Sequence, residues 1–190
     1  MKGKIDIKDH DSCGTGVLFN KNNEFRHSVI ERSLLSLSNM KHRGALSYDG
    51  MTTDGCGILL DIDRKFFQKK LLEEQKLILP NNFSIAVLMV QNNFDYDKIF
   101  LKICSKFNLK IIAEREVDAK KNILGELAQK SCPKIIQIFV APKKNNTASN
   151  HEPSFFKIKK YFDNNFCAEK EIYCVSFSAK TIVYKGLIHP

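Results

Sequence analysis

The chain has 190 residues, of which 43% are hydrophobic, and a formal net charge of +9. This length and composition predict one globular domain with a sizeable core, and no apolar run is long enough for a secretion signal or a membrane span. The lysines are spread thinly, without the arginine clusters and interleaved aromatic residues that bind and stack bases, so nucleic-acid binding is not expected.

Three apolar strands and two helices are predicted in the first half of the chain. In order, the pattern indicates a strand at 14–20, a helix at 27–40, a loop rich in glycine and aspartate at 44–57, a strand at 58–60, a helix at 64–76 and a strand at 83–90. The last of these is almost continuously apolar, which is typical of a strand covered on both faces.

The second half continues in the same manner. The predicted elements are a helix at 98–107, a strand at 109–117, a short helix at 124–130, a strand at 135–141, a polar loop at 142–153 open to proteolysis, a helix at 154–166 with Ser154 as N-cap, and strands at 171–177 and 181–185 that form a hairpin. Helices that cover apolar strands predict layers. The pattern fits both two sheets packed face to face and a single α/β sheet.

Six cysteines show neither a C-x-x-C pair nor a histidine at ligand spacing, so no metal site is expected. Cys104 lies on an apolar helical stripe and Cys174 lies within an apolar strand, and both are predicted to be buried. Reduced thiols indicate a reducing compartment, here the cytoplasm.

Cys13, in the run HDSCGTG, is the candidate nucleophile. Only a thiolate attacks, and an unassisted cysteine has a pKa of about 8.5, so it needs a base. If residues 1–12 were removed, the α-amine of Cys13, with a pKa of about 7.7 to 8, could take the proton. Gly14 and Gly16 would let the backbone approach a small substrate. The structural alternative is a small buried hydrophobe.

Arg43 follows the first predicted helix, where its five donors could orient a carboxylate or the reacting end of a substrate. The alternative is a surface arginine at a helix C-terminus. Asp54, in the following loop, could accept a substrate ammonium, although an aspartate before a glycine is commonly a turn residue.

A family resemblance joins these features. HRGALSYDGMTTDGCGILL, from His42 to Leu60, resembles the HRGA…DGxGIL signature of the class II glutamine amidotransferase domain of the glutamate synthase large subunit. Further segments of that domain have similar counterparts here, which occur along the chain in the family's order: HDSCGTGVLF before the HRGA segment, and EREV, LGELA, PKIIQIFVAP and YCVSFSAKTIVYKGLIHP after it. Cys56 departs from the small residue that the family has between the last two glycines.

The resemblance implies an α+β fold, the four-layer αββα arrangement of N-terminal-nucleophile hydrolases, incomplete at the C-terminus. It implies a leader or propeptide at 1–12 and the N-terminal part of the amidotransferase domain at 13–190. Cys13 is then catalytic and Arg43 binds substrate. The residues expected near the site are Gly14, Gly44, Asp54 and Gly55.

The implied reaction is hydrolysis of L-glutamine through a Cys13 thioester, with the ammonia used for glutamate synthesis. The resemblance implies no cofactor in this chain. FMN, an iron–sulfur cluster and NADPH or ferredoxin belong to the parent enzyme. The family's segments HNGEINT, which supplies oxyanion donors, and HSRFST, which binds the substrate carboxylate, have no counterpart here.

We therefore expect the chain to be weak or inactive alone and to need the second half of its domain and the synthase region as partners. No membrane partner is expected, and the compartment is the cytoplasm or the plastid stroma. The alternative hypothesis is a non-catalytic interaction module or a decayed remnant that retains the fold.

Overall fold

A computed structural model of the chain describes residues 14–22, 24, 26–91, 94–143, 152–166 and 171–187. The helices are α1 (His27–Asn39), α2 (Arg64–Gln75), α3 (Asp97–Lys106), α4 (Glu126–Lys130) and α5 (Glu152–Phe166), with 3-10 turns at Lys41–Arg43 and Lys121–Ile123. The strands are β1 (Cys56–Asp61), β2 (Ser84–Val90), β3 (Leu109–Glu116), β4 (Lys134–Pro142), β5 (Ile172–Ser178) and β6 (Thr181–Gly186). The polar loop lies largely outside the described residues, and the leader does so entirely.

A four-stranded antiparallel sheet, in the order β3-β4-β2-β5, forms the centre of the molecule. Its inner strands β2 and β4 are the two almost continuously apolar runs, and Ile85 pairs with Phe139 between them. Both of these side chains are fully buried. Apolar residues on both faces of β2 are buried, so its sequence lacks the alternation of a half-exposed strand.

Helices α3 and α5 cover one face of this sheet. Phe100 and Ile103 of α3, with Phe155 and Ile158 of α5, pack in one apolar cluster with residues of β2, β4 and β5. Cys104 and Cys174 belong to the same cluster, so their predicted burial is confirmed.

The opposite face packs against α2 and a second sheet, in which β1 and β6 pair antiparallel. Phe67 of α2 makes an edge-to-face contact with Phe139, with 5.5 Å between ring centroids. Ile182 of β6 is buried in the same cluster, and α1 lies against β1. Antiparallel sheets packed with helices confirm the α+β class expected from the resemblance.

The predicted hairpin between β5 and β6 is wrong, because β5 pairs with β2 and β6 pairs with β1. Two residues carry the chain from one sheet to the other. Ser178 Oγ accepts hydrogen bonds from the backbone of Lys180 (2.9 Å) and Thr181 (3.0 Å), which fixes the corner. A short turn between two strands therefore marks a change of sheet here.

The prediction that Ser154 is the N-cap of helix α5 is also wrong, and the contacts of Glu152 explain why. Helix α5 begins at Glu152, whose carboxylate accepts hydrogen bonds from Ser178 Oγ and from the Ala179 backbone at 2.9 Å. This contact with the corner between the sheets places Ser154 inside the helix.

The predicted strand at 14–20 is wrong as well, since these residues have no regular secondary structure. Val17 and Phe19 are 85% and 81% exposed. An apolar run becomes a strand only when a neighbour satisfies its backbone hydrogen bonds, and neither β1 nor β6 pairs with this segment. Helix α1 is confirmed, but it has no buried residue, and Leu34 and Leu35 are half-exposed or more.

Candidate active site

Arg43 lies directly after helix α1, as predicted. The helix ends at Asn39 and a single 3-10 turn follows, in which the Arg43 backbone donates to Met40 O at 2.8 Å and Gly44 donates to Lys41 O at 3.2 Å. Because this turn continues a rigid helix, the backbone of Arg43 has a fixed position. Its side chain is on the surface.

Gly14 lies against this turn. A Cβ atom built on Gly14 would lie 2.9 Å from Met40 Sδ and 3.5 Å from Arg43 Cγ. Cys13 itself lies outside the described residues, but Gly14 follows it directly in the chain. The fold thus brings together the segment that follows Cys13 and the segment that carries Arg43, although Gly14 and Arg43 are 29 positions apart in the sequence.

The loop from Gly44 to β1 is closed by internal hydrogen bonds. Asp54 Oδ2 accepts from the Ala45 backbone at 3.0 Å, and the Ser47 backbone donates to Thr52 O at 2.8 Å. Leu46 and Thr53 form an isolated bridge between the two arms. Asp54 therefore has a structural role in closing the loop, which agrees with the turn-residue alternative for it.

Gly55 connects this loop to β6. It has φ +95°, and a Cβ atom built on it would lie 2.7 Å from Gly186 O. A side chain is thus excluded by both the backbone conformation and the neighbouring strand. The segments DGCG and YKG, distant in sequence, meet at this contact.

Asp49 is a residue of the site region that sequence reasoning missed. Its carboxylate accepts hydrogen bonds from within the loop and from the Leu127 backbone at the start of α4. These bonds, above all those from Thr52, hold the pKa of Asp49 well below its usual range. The segment LGELA resembles a segment of the family, but its relation to the loop is visible only in its spatial position.

Cys56 adds a second thiol next to the loop, at the first position of β1, opposite Gly186. It is partly buried, and burial raises its pKa above the ordinary thiol value. A protonated thiol is a poor nucleophile, so the partial burial of Cys56 disfavours it as the nucleophile.

An open groove of about 440 Å³ runs between Ile78–Pro80 and Lys110–Ile112. Neither Arg43 nor Asp54 lines it, so this groove is separate from the candidate site. Within the described ranges, no three or more histidine, cysteine or acidic side chains form a group suited to a metal ion. The helices in that part of the chain include none of the length and apolarity needed to cross a membrane.

The segments HRGA, DGCG, LGELA and YKG meet at one loop of an α+β fold with antiparallel sheets, which is consistent with the N-terminal-nucleophile type of fold. Residues 13–190 match the family described as "Glutamine amidotransferases class-II", and the chain belongs to that family. The recognition made from the sequence is confirmed.

The relatives are glutamate synthases. The chain is 33% identical to the ferredoxin-dependent glutamate synthase of Pyropia yezoensis over 95% of its own length, and 31% identical to the NADH glutamate synthase of Saccharomyces cerevisiae over 96%. It is 31% identical over 96% of its length to the NADPH glutamate synthase large chain of Bacillus subtilis. It spans 9% of the yeast protein and 12% of the other two.

Proposed function

We propose that this chain hydrolyses the side-chain amide of L-glutamine at Cys13 and delivers ammonia for glutamate synthesis. The observation that supports this most directly is the contact of Gly14 with the Met40–Arg43 turn. It joins the candidate nucleophile run to the candidate substrate-binding arginine in a chain of the class II amidotransferase family.

In the proposed reaction, the Cys13 thiolate forms a bond to the amide carbon of glutamine and gives a tetrahedral intermediate. The α-amine of Cys13, exposed by removal of the leader at 1–12, takes the thiol proton and passes it to the departing nitrogen. The carbon–nitrogen bond breaks, ammonia leaves, and a γ-glutamyl thioester remains. Water then attacks this thioester and releases glutamate and the thiol.

Arg43 is proposed to bind the substrate. Its guanidinium carries five donors in a fixed plane, a geometry that can orient the reacting end of the glutamine side chain. Gly44, Asp54 and Gly55 are proposed to form the adjoining wall. The Asp54–Ala45 hydrogen bond of 3.0 Å supports a role for Asp54 in holding that wall in place.

The domain is proposed to act as one part of a larger enzyme. The chain spans about a tenth of its relatives, and we propose that the rest of such a protein supplies the oxyanion donors and a synthase region with FMN, an iron–sulfur cluster and NADPH or ferredoxin. Activity of the chain alone is then weak, and the compartment is the cytoplasm or the plastid stroma. The exposed apolar side chains of Val17, Phe19 and Leu35 support a required partner surface.

The same exposed residues support the second candidate, a non-catalytic interaction module that retains the fold. The two hypotheses differ in the chemistry expected at Cys13. A binding module has no need for a reactive thiol there, whereas a glutaminase does.

The test is covalent labelling of the full chain with a γ-electrophilic glutamine analogue, followed by peptide mass spectrometry. We expect modification of Cys13, none in Cys13→Ala, and labelling at least about tenfold slower in Arg43→Ala, because a lost charged contact costs about 1.5–3 kcal/mol. Arg32→Ala, on the exposed side of α1, is the matched control and should label like the wild type.

Labelling of another cysteine, or none even after a second-half chain is added, would favour the interaction module. Intact-mass analysis of the protein from its source tests the α-amine separately. Retention of residues 1–12 in that protein would exclude the α-amine as the base.

A further inference from the structure

We propose that Asp49 is a positioning residue, which acts through Arg43 by fastening the middle of the 44–55 loop to helix α4. This inference rests on the proposed function, and it assigns a task to a side chain that does not itself touch the substrate. Its basis is the set of contacts that join Asp49 and Thr52 to the first residues of α4.

The Asp49 carboxylate is fully engaged by four donors. Oδ1 accepts from the backbones of Met51 (3.0 Å) and Thr52 (2.7 Å). Oδ2 accepts from Thr52 Oγ1 (2.6 Å) and from the Leu127 backbone (3.3 Å). Three of these bonds shape the loop, and the fourth connects it to a residue 78 positions away.

Thr52 and Gly125 complete the connection. Thr52 is buried, and its hydroxyl accepts from the Ala128 backbone at 3.3 Å while donating to Asp49. Gly125 precedes α4, and a Cβ atom built on it would lie 2.5 Å from Thr52 Oγ1 and 2.6 Å from Asp49 Oδ2. The loop and α4 therefore fit together only if residue 125 has no side chain.

The fastened segment is coupled to the arm of the loop that carries Arg43. The Ser47 backbone donates to Thr52 O at 2.8 Å, and the Ala45 backbone donates to Asp54 at 3.0 Å. Ala45 is two residues from Arg43. Because these hydrogen bonds join the two arms of the loop, a displacement of residues 49–52 also displaces the arm next to Arg43.

The first test is Asp49→Asn in the full chain, assayed by the rate of Cys13 labelling as a function of the concentration of the glutamine analogue. An amide has one acceptor oxygen in place of two, so at least one pair of donors loses its partner. We expect the half-saturating concentration to rise about tenfold, because small misplacements of a binding group cost one to two orders of magnitude. Labelling by a small neutral thiol reagent should be unchanged.

Asp61→Asn is the matched control. It removes the same charge from an exposed position of β1, and the Asp61 side chain makes no hydrogen bond or ion pair with another described residue. The glutamine analogue should label it like the wild type.

Two further variants separate positioning from general damage. In an Arg43→Ala background, Asp49→Asn should have no additional effect if Asp49 acts through Arg43. Gly125→Ala disturbs the same contact from the α4 side and should raise the half-saturating concentration in the same way. If Asp49→Asn fails to fold by far-UV circular dichroism, Gly125→Ala decides the question.

Wild-type half-saturation in a folded Asp49→Asn or Gly125→Ala, or additive effects with Arg43→Ala, would overturn the positioning role and leave the proposed function intact. Failure of the wild-type chain, with a second-half chain added, to label at Cys13 would overturn both.

Discussion

Replacing Gly55 with alanine tests the close approach between the loop and β6. The residue has φ +95°, a conformation that costs an L-residue about 1–2 kcal/mol. The new Cβ would also lie 2.7 Å from Gly186 O and 3.3 Å from Leu187 Cδ2, so the β1–β6 pair must move, and such overpacking costs about 1–3 kcal/mol. The entropy that alanine removes from the unfolded chain offsets about 0.4–1 kcal/mol. We expect the free energy of unfolding to fall by about 2–4 kcal/mol.

Gly50→Ala is the matched control, because Gly50 also has a positive φ (+66°) but has nothing within 4 Å of a built Cβ atom. Only the conformational cost applies there, so we expect a loss of about 1 kcal/mol. The chain contains no tryptophan, and urea unfolding is therefore followed by far-UV circular dichroism. Losses in the two variants that agree within about 0.5 kcal/mol would refute the steric argument.

Three other predictions concern buried and paired groups. Ser84 is fully buried and its hydroxyl has no partner among the described residues, so Ser84→Ala should raise the free energy of unfolding in urea by about 1 kcal/mol, and a loss would contradict this. Burial raises the pKa of Cys104 to about 12, so we expect this thiol to resist alkylation at about pH 8 until the protein unfolds, as shown by mass spectrometry. Arg115, hydrogen-bonded to Glu74, lowers the pKa of Glu74, so the stability from this pair is present above the ordinary carboxyl value of 4.5 and is lost as the pH falls through the lowered native value. Thermal melts of Glu74→Gln should therefore depend less on pH in that range, and an unchanged pH profile would contradict the assignment.

Several features of the fold could be predicted from the sequence because neighbouring residues decide them. The apolar runs of β2 and β4 predict burial on both faces, and the stripe of Phe155, Ile158 and Phe162 predicts the buried side of α5, all of which the structure confirms. The position of Arg43 just after α1 follows from where the helical periodicity ends. Motif order along the chain was sufficient to recognise the family.

The errors arose where distant residues decide the outcome. The two strands at the end of the chain looked like a hairpin because a short turn joins them, but local sequence does not specify which neighbour a strand pairs with. Arg64 Nη2 donates to Ala179 O at 2.6 Å from 115 positions away, and Glu152 binds the same corner. The apolar residues at 14–20 likewise predicted a strand, but whether a neighbouring strand pairs with them depends on the tertiary structure.

The candidate site divides in the same way. The sequence by itself determined the chemical types, a thiol in a glycine run and an arginine after a helix, since these depend on residue identity and local periodicity. Only the tertiary structure decided that Gly14 lies against Arg43 and that Asp49 is fastened to α4. Those contacts join residues far apart in the chain, and their geometry is fixed by the packing of whole helices and sheets, which no short stretch of sequence encodes.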